Sequence, residues 1–168
     1  CTKEAIELVN VEDVGIRPRF EREVCMSCNE CLTFCPGHSV DARRESETTR
    51  NPSPNAENLL IGPTLQIWEG HASDSEIRHS ASSGGLLTAL SLYCLEKEDI
   101  GFVLHTAMNP DKPWQNKTVS STDRAELLSR TGSRYAVSSP CEGLRLIEES
   151  DRPCVFIGKP CDAAAVTA

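Results

Sequence analysis

The sequence lacks three features, and each absence excludes a class of function. Positive charge is scarce, since 17 Lys and Arg stand against 25 Asp and Glu, for a net charge of −8. A chain this acidic repels phosphate backbones and no basic segment stands out, so nucleic acid is not an expected partner. No apolar stretch approaches the about 20 residues of a membrane-spanning helix, and no secretory leader begins the chain. We therefore expect a soluble, cytoplasmic protein with no membrane span.

Two common signatures of catalysis are also missing. No Gly-x-Gly-x-x-Gly run is present, so a nicotinamide-binding Rossmann site is not predicted. His71, His79 and His105 have no partner at metal-ligand spacing, and His38 only follows a run of cysteines, so surface or packing roles are expected for them. A catalytic triad is not supported. The cysteines therefore carry most of the chemical information.

Cysteine is abundant, with nine in the chain. Four of them are crowded together, at Cys25, Cys28, Cys31 and Cys35. With Pro36 they match the Cys-x2-Cys-x2-Cys-x3-Cys-Pro run by which bacterial ferredoxins hold a 4Fe–4S cluster. Structural zinc is usually held by two separated pairs of ligands instead of three equally spaced cysteines. The run predicts a cubane cluster, with zinc or free thiols as the alternatives.

The beginning of the chain resembles the hairpin that joins the two halves of a two-cluster ferredoxin. Residues 1–9 and 16–24 would be its arms, with a turn over 12–15. On that resemblance Cys1 is the remote fourth ligand of the cluster held by the first three cysteines of the run. Cys35 would then ligate a second cluster. A cysteine that stands at position 1 by accident is the alternative.

Composition divides the chain into a module, a linker and a second domain. A ferredoxin-type 4Fe–4S module is predicted over 1–40 and a linker over 41–58, because the latter is rich in charge, Ser, Thr, Asn and Pro without apolar periodicity. The N-terminal part of an α/β domain is predicted over 59–168. No Met begins the chain and its last helix has no stop signal, so we expect a piece of a longer protein.

Short apolar runs alternate with helical patterns in the second domain. Strands are predicted at 65–69, 101–106 and 154–157, and helices at 86–97, from Asp123 to Gly132, from Pro140 to Ser150 and from a cap at Asp162. This alternation favours a mainly parallel or mixed sheet. The predicted fold class is thus an α+β ferredoxin-like iron–sulfur module followed by an α/β domain.

Four motifs of the second domain together resemble a known family. They are Gly70-His71-Ala72-Ser73-Asp74 with Arg78, the run 81–90, Gly132-Ser133-Arg134-Tyr135, and the run 156–162. Their order and spacing resemble the coenzyme F420 hydrogenase/dehydrogenase beta-subunit family, which includes the plant 7-hydroxymethyl chlorophyll a reductase. The resemblance implies an iron–sulfur flavoprotein oxidoreductase that carries 4Fe–4S clusters and FAD. Its electrons would pass between a redox partner protein or subunit and a deazaflavin or other small-molecule acceptor.

The resemblance also implies a flavin site. The residues assigned to FAD are Ser82, Ser83, Gly84, Gly85, Thr88, Gly132, Ser133 and Tyr135. Ser and Gly before a helix offer backbone N–H groups and the positive end of the helix dipole, which suits a flavin pyrophosphate; a plain helix cap is the alternative. Lys159 and Cys161 leave the carboxyl end of an inferred strand, where open α/β sheets bind ligands. They are the predicted catalytic residues, with core packing as the alternative for Cys161.

Two further alternatives stay open at the level of sequence. A third metal site on Cys141, Cys154 and Cys161 is conceivable, although Cys154 and Cys94 fit core positions better. The rival function is a non-catalytic electron carrier or docking subunit, and a zinc-bearing interaction module is a third. Flavin content separates the enzyme from the carrier, and iron content tests the zinc module.

Overall fold

The computed structural model describes residues 1, 3–11, 15–35, 37–38 and 66–167. The predicted linker over 41–58 lies outside these residues. Helices and strands alternate along the described chain, and the strands form two small sheets, one of two strands and one of three. The mixed α/β character that the sequence predicts is therefore present.

A β-hairpin forms the first sheet. Strand β1 (Ile6–Val11) pairs antiparallel with β2 (Gly15–Phe20), so that Ile6 lies opposite Phe20. The backbone N–H of Glu21 donates to the carbonyl of Ala5 at 2.9 Å, which extends the pairing beyond the strands. The predicted hairpin is confirmed, and it brings the beginning of the chain beside the segment that leads to the cysteine run. A single helical turn, α1 (Glu30–Thr33), follows within that run.

The second sheet has three strands in the order β4-β3-β5. Strand β3 (Phe102–Met108) lies in the centre, antiparallel to β4 (Asn116–Ser121) and parallel to β5 (Cys154–Phe156). The sheet is mixed because β3 and β4 form a hairpin, whereas β3 and β5 are joined by a crossover that contains helices.

Helices flank this sheet. They are α2 (Ser75–Ser80), α3 (Leu86–Lys97), α4 (Arg124–Ser129), α5 (Leu144–Glu148) and α6 (Pro160–Thr167), with 3₁₀ turns at Ser83–Gly85 and Pro140–Gly143. The core between helices and sheet is made of Ala72, Ile77, Leu92, Val103 and Leu127. Val103 is fully buried at the middle of the sheet, so α2, α3 and α4 pack on the same side of the sheet as its side chain.

Several predicted elements are confirmed in place and differ at their ends. The helix over 86–97 and the strands near 101–106 and 154–157 are present. Asp123 caps α4, since its carboxylate accepts from the Glu126 N–H at 2.9 Å, but the helix ends at Ser129 and does not reach Gly132. The helix from Pro140 begins as a 3₁₀ turn without a side-chain bond from Ser139. A Pro at the first position therefore sets the start more strongly than the serine does.

Two expectations about elements are wrong, and one strand was missed. The described part of the predicted strand over 65–69 is irregular, and Ile67 and Trp68 are exposed there instead of packing in the core. Strand β4 was not predicted, because its polar sequence lacks an apolar run. Asp162 lies inside α6 and does not precede it; its carboxylate accepts from the Lys159 N–H at 2.9 Å and so still caps the first turn.

Candidate functional site

The first candidate site is a cavity in the hairpin region, of about 200 Å³. Four thiols line it, those of Cys1, Cys25, Cys28 and Cys31. Its other walls include the apolar side chains of Ala5, Ile6, Phe20, Met26 and Leu32. The hairpin explains the convergence, because the pairing of β1 with β2 returns the chain from Cys1 to the beginning of the cysteine run. Cys35 lies outside this lining.

The backbone between these cysteines turns sharply. Ser27 and Asn29 have φ angles of 52° and 63°, in the left-handed region that residues other than glycine rarely adopt. Turns of this kind direct successive backbone N–H groups into a concave anion-binding nest, an arrangement found at many iron–sulfur sites. A negatively charged cluster with thiolate ligands would receive hydrogen bonds from such a loop. The donor set, the apolar walls and the loop conformation fit a 4Fe–4S cube.

The thiols around this cavity are not arranged like the ligands of a single metal ion. Among the described residues, no three His, Cys, Asp or Glu side chains come together as they would around one ion. In a cubane each thiolate binds its own iron, so the sulfurs surround a volume instead of a point. Thiols that line one cavity suit the cube better than tetrahedral zinc, whose four ligands meet at one centre.

The second candidate site is a cleft of about 460 Å³ beside the three-stranded sheet, which we call the basic cleft. The 81–91 region, the middle of β3, the segment 130–138 and the residues that follow β5 enclose it. The side chains that give it polarity are Ser82, Thr88, Ser91, His105, Thr106, Arg130, Thr131, Ser133, Arg134, Tyr135, Ser138 and Lys159. The cleft opens where β5 ends, as the sequence argument expects of a ligand site in an α/β sheet.

The charged side chains that line the basic cleft are all positive. Arg130, Arg134 and Lys159 line it, and no Asp or Glu is among the described residues of its lining. The whole chain, in contrast, carries a net charge of −8. Cations and hydroxyl groups gathered in one concave surface favour an anionic ligand such as a phosphate ester.

Two motifs that were predicted separately meet in the cleft. The backbone N–H of Ser133 donates to Ser82 Oγ at 2.8 Å, which ties the Gly132–Tyr135 segment to the residues before α3. Thr88 lies one turn into α3 on the same wall. Tyr135 stands at the rim, almost fully exposed. The structure thus brings together Ser82, Thr88, Gly132, Ser133, Tyr135 and Lys159.

The remaining predicted flavin residues, Ser83, Gly84 and Gly85, lie outside the lining of the cleft. Gly85 is buried with a φ of 73°, and a Cβ built there would lie 2.8 Å from Ile77 Cγ2 and 2.9 Å from the Ile77 carbonyl oxygen. Gly84 has a φ of 71°, and a Cβ built there would lie 3.0 Å from His71 Cβ. Both glycines are therefore explained by packing against α2 and the segment before it, whatever the cleft binds.

The predicted catalytic pair is separated. Lys159 lines the cleft, with Nζ 3.7 Å from Asp162 Oδ2. Cys161 is exposed at the beginning of α6 and lies outside the lining. Burial, followed by the charge of Asp162, raises the pKa of the half-buried Cys141 thiol. Burial likewise raises the pKa of Cys154. Raised pKa values keep both thiols protonated at neutral pH, as in structural cysteines.

Residues that the sequence argument missed hold the cleft wall in place. Strand β4 contacts the wall at alternate positions: Asn116 Nδ2 donates to the Ala136 carbonyl at 2.8 Å, and Thr118 Oγ1 donates to the Ser139 carbonyl at 2.7 Å. Asn116 Oδ1 accepts from Arg134 Nε at 2.8 Å. The alternation of Asn, Thr and Ser along 116–120 is the sequence signal for a strand with a polar face.

A buried polar chain lies behind the wall of the cleft. Ser121 Oγ accepts from Arg130 Nη1 at 2.7 Å and is 2.8 Å from His105 Nε2. Ser121 is completely buried, and His105 is 8% exposed. Burial, and next the charge of Arg130, lower the pKa of His105, so its ring is neutral at pH 7.

The lowered pKa of His105 predicts acid sensitivity. Below the ordinary histidine pKa of about 6.5, the unfolded state binds a proton that the folded state resists. The free energy of unfolding should therefore fall as the pH drops below that value, and the loss should end once the folded pKa is passed. Denaturant unfolding at pH 7.5 and pH 5.5 measures the slope. His105→Gln should flatten it, whereas His79→Gln, at an exposed position of α2, should not; an unchanged slope in His105→Gln contradicts the assignment.

Comparison with known proteins identifies a family that the sequence around the basic cleft resembles. Residues 67–145 match the family model described as coenzyme F420 hydrogenase/dehydrogenase, beta subunit N-terminal region. This segment, slightly less than half of the chain, is similar to that family. The matched range contains the Ser82 and Ser133 walls of the basic cleft, whereas the cysteine run and Lys159 lie outside it. The resemblance that the motifs suggested is confirmed.

Individual relatives agree with the family model. The coenzyme F420 hydrogenase subunit beta of Methanosarcina barkeri is 35% identical over 91 residues, which are 53% of this chain and 30% of that protein. An uncharacterised protein of Methanocaldococcus jannaschii is 30% identical over 90 residues, 54% of this chain and 33% of that protein. The chain therefore spans about a third of the length of the curated relatives it matches.

A solved structure was matched as well. A chain of the F420-reducing NiFe hydrogenase complex from Methanosarcina barkeri, in a xenon derivative, is 35% identical, with 47% of this chain and 27% of that chain covered and a TM-score of 0.43. In the part of this chain that the structure describes, no helix has the length and apolarity needed to cross a membrane.

Proposed function

We propose that this chain is part of an iron–sulfur flavoprotein oxidoreductase subunit, in which electrons pass between 4Fe–4S clusters and FAD and on to a deazaflavin coenzyme or another acceptor. The observation that carries the proposal is the convergence of Cys1, Cys25, Cys28 and Cys31 on one cavity. The relative from Methanosarcina barkeri, whose name describes it as a coenzyme F420 hydrogenase subunit, supports the reaction class.

The proposal assigns the two cofactors to the two candidate sites. A ferredoxin-type module over 1–40 would hold a cluster on the four cavity thiols, and Cys35, outside the cavity, would serve a second cluster. The part of the α/β domain within 59–168 would hold FAD in the basic cleft, and 41–58 would link the two. Clusters exchange single electrons and a flavin exchanges one or two, so together they connect one-electron carriers to a two-electron acceptor.

The residues of this chain have separate tasks in that scheme. The thiols would hold the cluster, and the turns at Ser27 and Asn29, whose φ angles are in the left-handed region, would offer backbone N–H groups to its negative charge. The arginines of the cleft would bind the phosphate groups of FAD, and Lys159 would lie beside the ring, where a cation favours the anionic reduced form. A second subunit or partner protein would supply or accept the electrons.

A non-catalytic carrier or docking subunit is the rival proposal. It shares the cluster and needs no flavin. The experiment that separates the two is purification of the full-length protein without air, followed by absorption spectroscopy and analysis of iron and flavin. Iron with flavin supports the oxidoreductase. Iron without flavin supports the carrier, and zinc without iron contradicts both.

Lys159→Met is expected to lower the midpoint potential of the bound flavin. Removing the ammonium removes a charge that stabilises the anionic reduced ring, and because the side chain is 63% exposed the shift should be modest, about 30 mV. Potentiometric titration of the full-length protein measures it. Lys117→Met, a matched change on β4 outside the cleft lining, should leave the potential unchanged. Equal potentials in the wild type and Lys159→Met would remove Lys159 from the flavin site.

A further inference from the structure

The position of Arg130 in the basic cleft has no explanation in the family motifs. Arg130 directly follows α4, where its backbone N–H donates to the Leu127 carbonyl. Its side chain is 29% exposed and lines both the basic cleft and an adjoining cavity of about 470 Å³. The guanidinium therefore forms part of the wall that any ligand of the cleft would meet.

The guanidinium is fixed through one of its nitrogens. Nη1 donates to the Ser120 carbonyl at 2.6 Å and to Ser121 Oγ at 2.7 Å. Both acceptors are neutral, so these bonds fix the direction of the group without offsetting its positive charge. The carboxylate of Glu126 lies 3.8 Å from Nη2 and is 39% exposed, so it offsets part of that charge.

The buried hydroxyl of Ser121 is itself oriented. A guanidinium can only donate hydrogen bonds, so Ser121 Oγ accepts from Arg130, and the same oxygen makes a second hydrogen bond, of 2.8 Å, with His105 Nε2. A buried hydroxyl held by two hydrogen bonds is fixed in one rotamer, and it fixes the position of Arg130 in turn.

The other two cations of the cleft are held differently. Lys159 lies 3.7 Å from the carboxylate of Asp162, which offsets part of its charge. Arg134 donates to Asn116 Oδ1 and to the Pro113 carbonyl, which lie toward the β3–β4 turn. Arg130 differs from both in its anchor, because it donates to the fully buried hydroxyl of Ser121 in the core of the domain. Preorganised cations of this kind bind phosphate oxygens strongly because little side-chain freedom is lost on binding.

We propose that Arg130 binds the pyrophosphate group of the ligand in the basic cleft, and that Ser121, backed by His105, is the positioning residue that holds the guanidinium toward it. This inference rests on the proposed flavin site for the identity of the ligand. It rests on the hydrogen-bonded chain alone for the existence of a phosphate site. The two parts can therefore fail separately.

Binding of inorganic pyrophosphate to the full-length protein, measured by titration calorimetry, tests the phosphate site without a flavin. Arg130→Gln should weaken binding about 100-fold, and Ser121→Ala about tenfold, since bonds to charged groups are worth more than neutral ones. Ser120→Ala is the matched control, because Arg130 uses the carbonyl of that residue and not its side chain; its affinity should stay within about twofold of the wild type.

A double variant separates positioning from a structural role. Ser121→Ala in an Arg130→Gln background should weaken pyrophosphate binding no further, because the serine acts only through the arginine. Ser121→Cys keeps the shape of the side chain while weakening its hydrogen bonds, because a thiol is a poor donor and acceptor, so it reports on the hydrogen bond if the alanine variant fails to fold. Additive losses, or full affinity in both Ser121 variants, would overturn the positioning role. Absence of pyrophosphate binding by the wild type would overturn the phosphate site.

Binding of FAD and of riboflavin to the same variants tests whether the ligand of the cleft is FAD. FAD has the pyrophosphate and riboflavin does not, so Arg130→Gln should weaken FAD and leave riboflavin unchanged. Pyrophosphate binding that depends on Arg130 in a protein that binds no FAD would keep this inference and contradict the proposed function. Equal weakening of FAD and riboflavin would contradict the inference and keep the flavin site.

Discussion

Replacing Cys28 by serine is expected to remove about four irons per chain from the anaerobically purified protein. The Cys28 thiol lines the same cavity as three other cysteines, and a cube that loses one thiolate ligand is assembled poorly or lost. The module around it is small, and its cysteines and several large apolar side chains, among them Phe20 and Met26, are exposed. The proposed cluster would therefore stabilise this module more than apolar burial does.

The matched control is Cys94→Ser. Cys94 is a half-buried thiol on α3 outside the cysteine cavity, so this change also replaces a sulfur by an oxygen. Iron analysis and the visible absorption of the cluster should be those of the wild type. If Cys28→Ser retains the full iron content, the cavity is not the cluster site. If zinc is found in place of iron in the wild type, the cubane assignment is wrong.

Gly85→Val is expected to destabilise the α/β domain by about 3 kcal/mol or more. The glycine has a φ of 73°, and its new side chain would meet the Ile77 methyl at 2.8 Å and the Ile77 carbonyl at 2.9 Å. Ile77 is itself 2% exposed and cannot move aside without opening the core. Denaturant midpoints of the flavin-free protein measure the loss.

Gly132→Ala isolates the contribution of backbone conformation. Gly132 also has a positive φ, of 98°, but a Cβ built there would meet nothing within 4 Å. This variant should lose only about 1 kcal/mol, the usual cost of a side chain in that region. Similar midpoints for the two variants would show that Ile77 does not determine the need for Gly85. The requirement for glycine at position 85 would then be explained by a bound ligand instead of by packing.

The sequence predicts best where chemistry depends on local spacing. The cysteine run needs only a tight loop, and a hairpin between Cys1 and Cys25 is a short-range structure, so the prediction that these four thiols share one site needed only local sequence. Ser82 and Ser133 were assigned to one ligand as parts of two family motifs, but their hydrogen bond to each other was not predicted. By contrast, Ser83, Gly84 and Gly85 were assigned to the ligand although packing against Ile77 explains Gly85.

The hydrogen bonds among His105, Ser121 and Arg130 behind the cleft could not be predicted from local spacing. His105, Ser121 and Arg130 come from two strands and the end of a helix, and they meet because Val103 pairs with Ser121 in the β3–β4 register. A shift of one residue would turn Ser121 to the other face of the sheet. Nothing in the local sequence fixes that register, and β4 itself lacks the apolar run by which strands are recognised.

The sign of the charge in the basic cleft has a consequence for how a ligand arrives. At physiological ionic strength a charge acts mainly within about 8 Å, so until it comes that close to the cleft an approaching dianion is repelled, weakly, by a molecule with a net charge of −8. Inside that distance Arg130, Arg134 and Lys159 dominate. Salt therefore acts oppositely on the two steps: it weakens the outer repulsion and so hastens the encounter, and it weakens the inner attraction and so shortens the residence time of the bound ligand.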